Sequence, residues 1–290
     1  MVDFLKYWKI YFTLSAAVII FGLMSIWQWG YTYSIDFTGG TNVEYRFSRE
    51  IDKAKIDQTI SKMGLESSQI EKRPDNIYFV RLSPIDEQQE LKFRQNLEKQ
   101  STSKIEVIRT ETVGPLIGAE TLRKTAIAAG IAIVGILIYV AYAFKNMNFA
   151  LAAVAALFHD VLVVVGTYSA ISHFFGAELD TMFVTALLTT MSFSVHDTIV
   201  VFDQIRDYRK RYGSGHIREY SNRSLTETMV RSLNNSFTVV FMLVALILLG
   251  GSTIRFFAVA LLIGMLTGTY SSPFVSVPIA VWLEKVRKKS

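Results

Sequence analysis

The chain has 290 residues, of which 51% are hydrophobic, and it carries a formal net charge of +5. It contains no cysteine, which excludes disulfide bonds, thiol catalysis and cysteine-ligated metal sites. The apolar residues form long blocks with short clusters of lysine and arginine beside them, a pattern typical of membrane proteins. We therefore expect membrane lipid as a partner of this chain, and no nucleic acid.

Six segments are long and apolar enough to cross a bilayer, whose core needs about 20 apolar residues per helix. A signal peptide is the alternative for the first segment, but that segment is long, lacks an A-x-A cleavage site and ends in the aromatic run "WQWGY". The sequence thus predicts an α-helical polytopic membrane protein with six transmembrane helices. The predicted spans are residues 10–29, 124–144, 149–174, 179–205, 229–250 and 255–283.

The basic clusters predict the orientation of the spans, because lysine and arginine are enriched on the cytoplasmic side. With six spans, all four clusters fall on one side of the membrane. Both termini and a basic loop near 206–223 are therefore predicted to be cytoplasmic. The clusters consist of Lys6, Lys9, Lys145, Arg206, Arg209, Lys210, Arg211, Arg218, Arg223, Lys285, Arg287, Lys288 and Lys289.

The chain is predicted to divide into residues 1–30 with the first span, a domain at 31–123 outside the cytoplasm, and the remaining spans at 124–290. Strand and helix patterns in the domain follow the order β-α-β-β-α-β, which predicts a ferredoxin-like α+β fold between transmembrane helices 1 and 2. The strands are expected at 41–47, 68–73, 76–82 and 104–114, and the helices at 49–64 and 83–100. The domain shows no catalytic cluster, so we expect it to bind a partner or to couple a motion.

Polar residues recur at helical spacing inside the fourth and fifth spans. A charged side chain at the bilayer centre costs roughly 2.5–3.5 kcal/mol, so such residues are expected to face other helices or a wet cavity. Arg231 is predicted to pair with Asp197, and this pairing favours an ion pathway over polar groups that merely hold helices together. The two stripes are Thr190, Ser194, Asp197 and Gln204 on the fourth span, and Ser224, Thr228, Arg231, Asn235 and Thr238 on the fifth.

Two further polar sites lie within the spans. His159 and Asp160 on the third span are expected either to join the stripes or to lie close to the cytoplasmic interface. His196 precedes Asp197 by one residue, which turns it about 100° away from the stripe. An intramembrane hydrolase using either His-Asp pair is disfavoured, since adjacent side chains diverge on a helix and no nucleophile stands at a suitable spacing.

The last span contains a face of small residues. Gly264, Gly268 and Ser272 recur every four residues, which predicts close helix packing. Pro273 and Pro278 are expected to bend this helix.

Several motifs along nearly the whole chain resemble the SecD/SecF family of protein-export membrane proteins, in the resistance-nodulation-division superfamily. They are "SIDFTGGT" at 34–41, "TVGP" at 112–115, and, further on, "LFHDVLVVVG", "HDTIVVFDQIRD" and "IRFFAVALLIGMLTGTYSS". The intramembrane aspartate of the family falls on Asp197 and its fifth-span arginine on Arg231. His196 stands where the family usually has asparagine, and "LNNSFT" is richer in asparagine than the family's usual serine and threonine run.

The resemblance implies a bacterial inner-membrane subunit that partners SecD, docks near the SecYEG translocase and promotes preprotein export. YajC is a further candidate partner. The energy source is expected to be the proton gradient, without cofactor, metal or enzymatic activity. The alternative is a half-transporter for lipid or small molecules, which would need a large apolar cleft in the external domain.

Asp197 is the expected proton acceptor and Arg231 its countercharge. Thr190, Ser194, His196 and Thr238 complete the predicted proton pathway. The motif containing Asp36, Phe37, Gly39 and Gly40 is expected to act as a hinge, because glycine permits backbone turns that other residues resist.

Overall fold

The structure is a computed structural model that describes residues 3–144, 146–213 and 216–287, apart from the side chains of residues 67, 68 and 252. The predictions made for Lys145, Lys288 and Lys289 lie outside these residues. Contacts divide the chain into two units, residues 33–126 and the membrane unit formed by residues 1–32 with 127–290.

The elements follow one another in a simple order along the chain. After a 3₁₀ turn at Phe4–Tyr7, they are α1 (Trp8–Trp29), β1 (Thr32–Tyr33), α2 (Ile35–Thr38), β2 (Gly40–Phe47), α3 (Lys53–Lys62), β3 (Ser67–Arg73), β4 (Ile77–Leu82), α4 (Glu87–Ser101), β5 (Ile105–Val113), α5 (Pro115–Ala143), α6 (Met147–Phe175), β6 (Glu178–Leu179), α7 (Thr181–Tyr212), α8 (Ile217–Leu249), α9 (Ser252–Ser271), a π-helical turn (Ser272–Ser276) and α10 (Val277–Arg287).

The described part of the chain has six helical segments that are long and apolar enough to cross a membrane. They are α1, α5, α6, α7, α8 and a composite last span formed by α9, the π-helical turn and α10. The prediction of a multi-pass helical membrane protein is therefore confirmed.

Three helices extend well beyond the predicted spans, and α5 begins at Pro115 rather than at residue 124. α7 ends at Tyr212 and α8 begins at Ile217, so most of the predicted basic loop at 206–223 is helical. Hydropathy marks only the apolar part of a helix, whereas polar contacts sustain the charged ends. Arg206 pairs with Asp203 one turn away at 2.8 Å. The side chains of α7 also contact those of α8 at this end.

The last span changes its hydrogen-bonding pattern at the predicted proline. Pro273 lies in the π-helical turn Ser272–Ser276, and α9 meets α10 there. A proline cannot donate the backbone hydrogen bond that a regular helix requires, and a π turn accommodates the missing donor. The π-helical turn thus coincides with Pro273, whereas Pro278 lies within α10, and the bend expected from the two prolines stays a prediction.

Residues 33–126 form an α+β unit around one antiparallel sheet. Its strands are ordered β3-β4-β2-β5, and β2 pairs with both β4 and β5. Asp52 caps α3, and Asp86 with Gln89 forms a capping box at α4. Asp75 and Asn76 take positive φ angles of 60° and 55° between β3 and β4, as a tight turn between antiparallel strands requires.

The core of this unit lies between the sheet and its two long helices. Val43, Tyr45 and Phe93 are fully buried there, and alternation along β2 places the first two on one face. The hydroxyl of Tyr45 donates to Glu90 at 2.8 Å. Burial raises the pKa of Tyr45, and the nearby Glu90 carboxylate adds to the increase.

Close helix contacts in the membrane unit occur at glycine. A Cβ atom added to Gly22 on α1 would lie 2.8 Å from the Cα of Gly166 on α6, so the two backbones touch. One turn along, the hydroxyls of Ser25 and Ser169 lie 3.1 Å apart. Small residues thus let these two helices approach closely and form hydrogen bonds with each other.

Candidate functional site

Asp160 is a buried carboxylate with three side-chain partners and lies near the middle of α6. Only 4% of its surface is exposed. Ser194 on α7 and Ser271 on α9 both donate to its Oδ2 atom, at 2.5 and 2.7 Å. Its Oδ1 atom lies 2.8 Å from Nδ1 of His159. This buried cluster, the Asp160 cluster, therefore joins three helices.

Small residues on α9 make the Asp160 cluster possible. A Cβ atom added to Gly264 would lie 2.4 Å from the Thr190 side chain, and one added to Gly268 would lie 3.1 Å from Cβ of Ser194. The predicted close packing of this face is confirmed. Ser271 lies two turns beyond Gly264 on the same side of α9, because seven residues complete almost two turns. The close approach brings its hydroxyl to Asp160.

The ring of His159 lies beside a cavity of about 330 Å³. The other polar side chains lining this cavity are those of Ser15, Thr267 and Tyr270. His159 is buried, and its Nε2 atom has no hydrogen-bond partner among the described residues. Both His159 and Asp160 are enclosed by neighbouring helices, and the alternative that they lie close to the cytoplasmic interface stays a prediction.

Asp197 forms a second site, on the α8 side of α7. It is half-buried, and Ser232 on α8 donates to its Oδ2 atom at 2.8 Å. No ion pair joins Asp197 to Arg231 within the described residues, and Arg231 is exposed. The predicted pair is therefore wrong for this conformation. Successive residues lie about 100° apart on a helix, so the rotation that directs Ser232 to Asp197 turns Arg231 away.

The polar stripe predicted for α7 reaches more than one neighbour. Thr190 and Ser194 face α9, while Asp197 faces α8, because Ser194 and Asp197 are separated by about 60° around the helix. Gln204, further along, donates to Glu227 of α8 at 2.7 Å. His196 is exposed, in keeping with its position off the stripe.

The polar stripe predicted for α8 is also divided. Ser224 and Thr228 are buried, whereas Arg231, Asn235 and Thr238 are exposed. The hydroxyl of Thr238 donates within its own helix, to the backbone oxygen of Asn234 at 2.9 Å. The expected convergence of the third, fourth and fifth spans on one site therefore does not occur, since α9 rather than α8 completes the Asp160 cluster.

Two of the hydroxyl groups that contact the carboxylates, those of Ser232 and Ser271, were not predicted from the sequence. Ser232 was overlooked because it lies one residue outside the stripe drawn through Arg231. Ser271 could have been predicted to face α7, since it follows Gly264 by seven residues and so lies on the same side of α9. Ser272 was predicted only as a small packing residue, but its hydroxyl also lies 2.9 Å from that of Thr198 on α7.

The glycine motif after α1 packs against the start of α5. Gly39 has a φ angle of +74° and Gly40 one of +140°, both unfavourable for other residues. A Cβ atom on Gly39 would lie 2.8 Å from the Cα of Pro115, and one on Gly118 would lie 2.7 Å from the nitrogen of Gly39. Phe37 is buried beside this contact. The motif therefore joins β2 to the first turn of α5 within residues 33–126.

Asp36 belongs to the same short segment. It lies in α2, and its backbone nitrogen donates to the Ser34 hydroxyl at 3.2 Å. The hinge role predicted for these residues stays a prediction. Within the described residues, no group of three histidine, aspartate or glutamate side chains is placed to hold a metal ion.

Family models match most of the chain. The model described as protein export membrane protein SecD/SecF, C-terminal, matches residues 92–286, and the SecD/SecF GG motif matches residues 32–51. The second match contains the glycine segment that contacts α5.

Individual proteins are similar over nearly the full length of this chain. Protein translocase subunit SecF of Thermobaculum terrenum is 37% identical, with 98% of this chain and 95% of the relative covered. Protein translocase subunit SecDF of Thermus thermophilus is 34% identical over 96% of this chain and 37% of its own length.

A solved structure shares the fold. The crystal structure of SecDF, a translocon-associated membrane protein from Thermus thermophilus, matches with a TM-score of 0.85 and 31% identity. The match covers 98% of this chain and 39% of the crystallised one.

Proposed function

The chain belongs to the SecD/SecF family of protein-export membrane proteins, and on that premise we propose that it acts as a SecF-type translocase subunit. In this role it uses the proton gradient to promote preprotein translocation and release on the outer side of the membrane. The observation that carries the proposal is the similarity to SecF relatives over nearly the full chain, with a carboxylate near the middle of a span.

Asp197 is the proposed proton acceptor. Its carboxylate has one side-chain donor, Ser232, and remains half-buried, so a proton can reach it without breaking a large network. Proton binding removes the negative charge and weakens the hydrogen bond from Ser232. The contact between α7 and α8 then becomes free to rearrange. Release of the proton on the opposite side of the membrane restores the charge of Asp197 and its hydrogen bond from Ser232.

The Asp160 cluster takes a different role in this proposal. Three side chains from three helices bond to its carboxylate, and all of them are buried. Interhelical polar contacts of this kind stabilise helix packing. We assign His159 and Asp160 to an anchor that keeps α6, α7 and α9 together while α8 moves against α7.

The available driving force is sufficient for such a rearrangement. Moving one elementary charge through 100 mV releases about 2.3 kcal/mol. An interhelical hydrogen bond within a membrane contributes about 0.6 kcal/mol on average. One proton per cycle can therefore offset the loss of several contacts such as the one between Ser232 and Asp197.

SecD is the proposed partner on the α8 side. Arg231, Asn234 and Asn235 are exposed on α8, and hydrocarbon would solvate these side chains poorly. A second helical subunit would cover them and supply polar groups. The similarity to SecDF, of which this chain spans about two fifths, supports the same partner. In this arrangement Arg231 serves as a countercharge at the subunit interface.

The chain is further proposed to lie in the bacterial inner membrane with both termini in the cytoplasm. It would lie beside SecYEG there, with YajC as a further candidate partner. The basic ends of α7, α8 and α10 support this orientation. No cofactor or catalytic reaction is part of the mechanism, and Thr190, His196 and Thr238 remain candidates for the proton path.

We assign residues 33–126 to a ferredoxin-like domain on the outer side. The order β5-β2-β4-β3 with two helices in a β-α-β-β-α-β chain supports this assignment. A small-molecule transporter is the weaker alternative, since a cavity of about 400 Å³ in the described part of this unit is lined mainly by polar side chains such as Lys62, Asn96 and Gln100.

Asp197→Asn tests the proposal directly, because it removes the titratable proton with little change of shape. Late-stage preprotein export would be measured in inverted membrane vesicles with and without a proton gradient, after co-purification with SecD has been checked. We expect the stimulation by the gradient to disappear. Asp207→Asn is the matched control, since Asp207 is exposed near the end of the same helix. Full gradient dependence in Asp197→Asn would exclude Asp197 as the proton site and leave the family assignment intact.

A further inference from the structure

A cavity in the membrane unit lies between the beginning of the chain and its last helix. Its volume is about 730 Å³, within the range of about 300–1,000 Å³ that is typical of ligand pockets. Most of its surface is apolar. The apolar lining is formed by Leu5, Trp8, Phe12, Pro278, Ile279, Val281 and Trp282.

Three cationic side chains border the same cavity, namely Lys6, Arg218 and Lys285. Arg218 is already engaged by Asp3, 2.9 Å away. Lys6 and Lys285 are exposed, and no carboxylate pairs with either of them in the part of the chain that the structure describes. The rim of the cavity therefore has two positive charges free to bind an anion.

The position of the cavity fits the boundary between hydrocarbon and water. Trp8 begins α1, and Trp282 lies in the last turns of α10, so the cavity is at one end of two spans. Both indoles are substantially exposed, at 47% and 63%. Tryptophan is enriched at membrane interfaces, where an apolar ring borders polar head groups.

We propose that this cavity binds an anionic glycerophospholipid. An acyl chain lies along the apolar lining, and the phosphate contacts the ammonium groups of Lys6 and Lys285. The occupant combines apolar length with negative charge, which matches the chemistry of the lining and of the rim. Basic pockets between spanning helices on the cytoplasmic side are suited to anionic head groups. The site lies apart from Asp197 and does not depend on the proposed proton mechanism.

Lipid retention by the purified full-length protein tests this inference. The protein is reconstituted in nanodiscs containing phosphatidylglycerol and phosphatidylcholine, and bound lipid is then counted by native mass spectrometry. Lys6→Gln with Lys285→Gln should weaken phosphatidylglycerol binding about thirtyfold, since each lysine near an anionic head group contributes on the order of a fivefold change. Phosphatidylcholine should not bind detectably to any variant.

Two controls separate a specific site from general surface charge. Lys9→Gln with Arg287→Gln removes the same charge from the same ends of α1 and α10, outside the cavity lining, and should retain the lipid. Ile279→Trp fills the apolar part without changing charge and should lower binding. Equal retention by all variants, or equal loss in both charge variants, would overturn the proposal. Binding of soluble glycerol phosphate as tight as that of the lipid would also overturn it.

Discussion

Ser232 on α8 donates its hydroxyl hydrogen to Asp197 on α7, with 2.8 Å between the two oxygen atoms. This hydrogen bond connects the middle parts of two helices. It is also the side-chain contact through which the charge of Asp197 is communicated to α8 in the proposed mechanism.

Ser232→Ala should reduce the gradient-dependent part of export several-fold, because α8 no longer senses the charge of Asp197. An interhelical hydrogen bond within a membrane contributes about 0.6 kcal/mol on average and about 1.7 kcal/mol at most, so the effect should be measurable. Export in vesicles with and without the gradient provides the test. Ser236→Ala is the control, since Ser236 instead contacts Thr269 of α9, at 2.6 Å. Equal behaviour of the two variants would argue against coupling through Ser232.

The Asp160 cluster should contribute mainly to stability. Replacing both Ser194 and Ser271 by alanine leaves the Asp160 carboxylate buried with two donors fewer, which should cost about 1–3 kcal/mol. Thermal unfolding of the purified protein should shift to lower temperature by several degrees. Export per folded molecule should keep its gradient dependence. A selective loss of that dependence without destabilisation would instead assign the cluster to the proton path.

Gly22→Ala should destabilise the packing of α1 on α6. The added methyl group would meet the backbone of Gly166 at 2.8 Å, where neither helix can yield without a shift. Overpacking of this kind costs about 1–3 kcal/mol. Gly130→Ala on α5 provides the matched control, because nothing lies within 4 Å of its added Cβ atom. In Gly130→Ala the higher helix propensity of alanine should leave stability unchanged or slightly improved. Thermal unfolding of the two variants provides the comparison.

Gly39→Ala combines backbone strain with a steric clash. Gly39 has a φ angle of +74°, and the new Cβ atom would lie 2.8 Å from the Cα of Pro115. Gly64→Ala shares the strain, at φ +65°, but its Cβ atom has nothing within 4 Å. We expect Gly39→Ala to lower both unfolding temperature and export more than Gly64→Ala. Equal effects would show that strain alone matters and that the contact with α5 does not.

Much of the fold was accessible from the sequence because its signals are local. The apolar blocks predicted all six spans, since a segment that crosses hydrocarbon must be apolar along its length. The cap at Asp52 and the turn at Asp75 likewise follow from neighbouring residues, so the strands and helices of residues 33–126 were predicted nearly in place. The end of α7 was placed too early and the beginning of α8 too late, because polar contacts between the helices sustain these charged turns.

The partners of Asp160 and Asp197 depend on how the helices pack against one another, which hydropathy and residue spacing do not predict. Helical spacing indicated that Asp197 faces a neighbouring helix, but it did not choose between Ser232 and Arg231, which differ by about 100° in direction. Asp160 was recognised as a polar residue within a span, but not as the acceptor for Ser194 and Ser271. That contact requires α9 to approach closely enough for its small residues to touch α7.

The sequence by itself determined which segments can lie in hydrocarbon and which polar groups must be enclosed there, because transfer free energies belong to individual residues and short segments. Only the tertiary structure decided which helices became neighbours and how far each was rotated about its axis. A rotation of 60° costs little in hydropathy but exchanges one polar partner for another. For that reason the spans were predictable, whereas the separate sites at Asp160 and Asp197 were not.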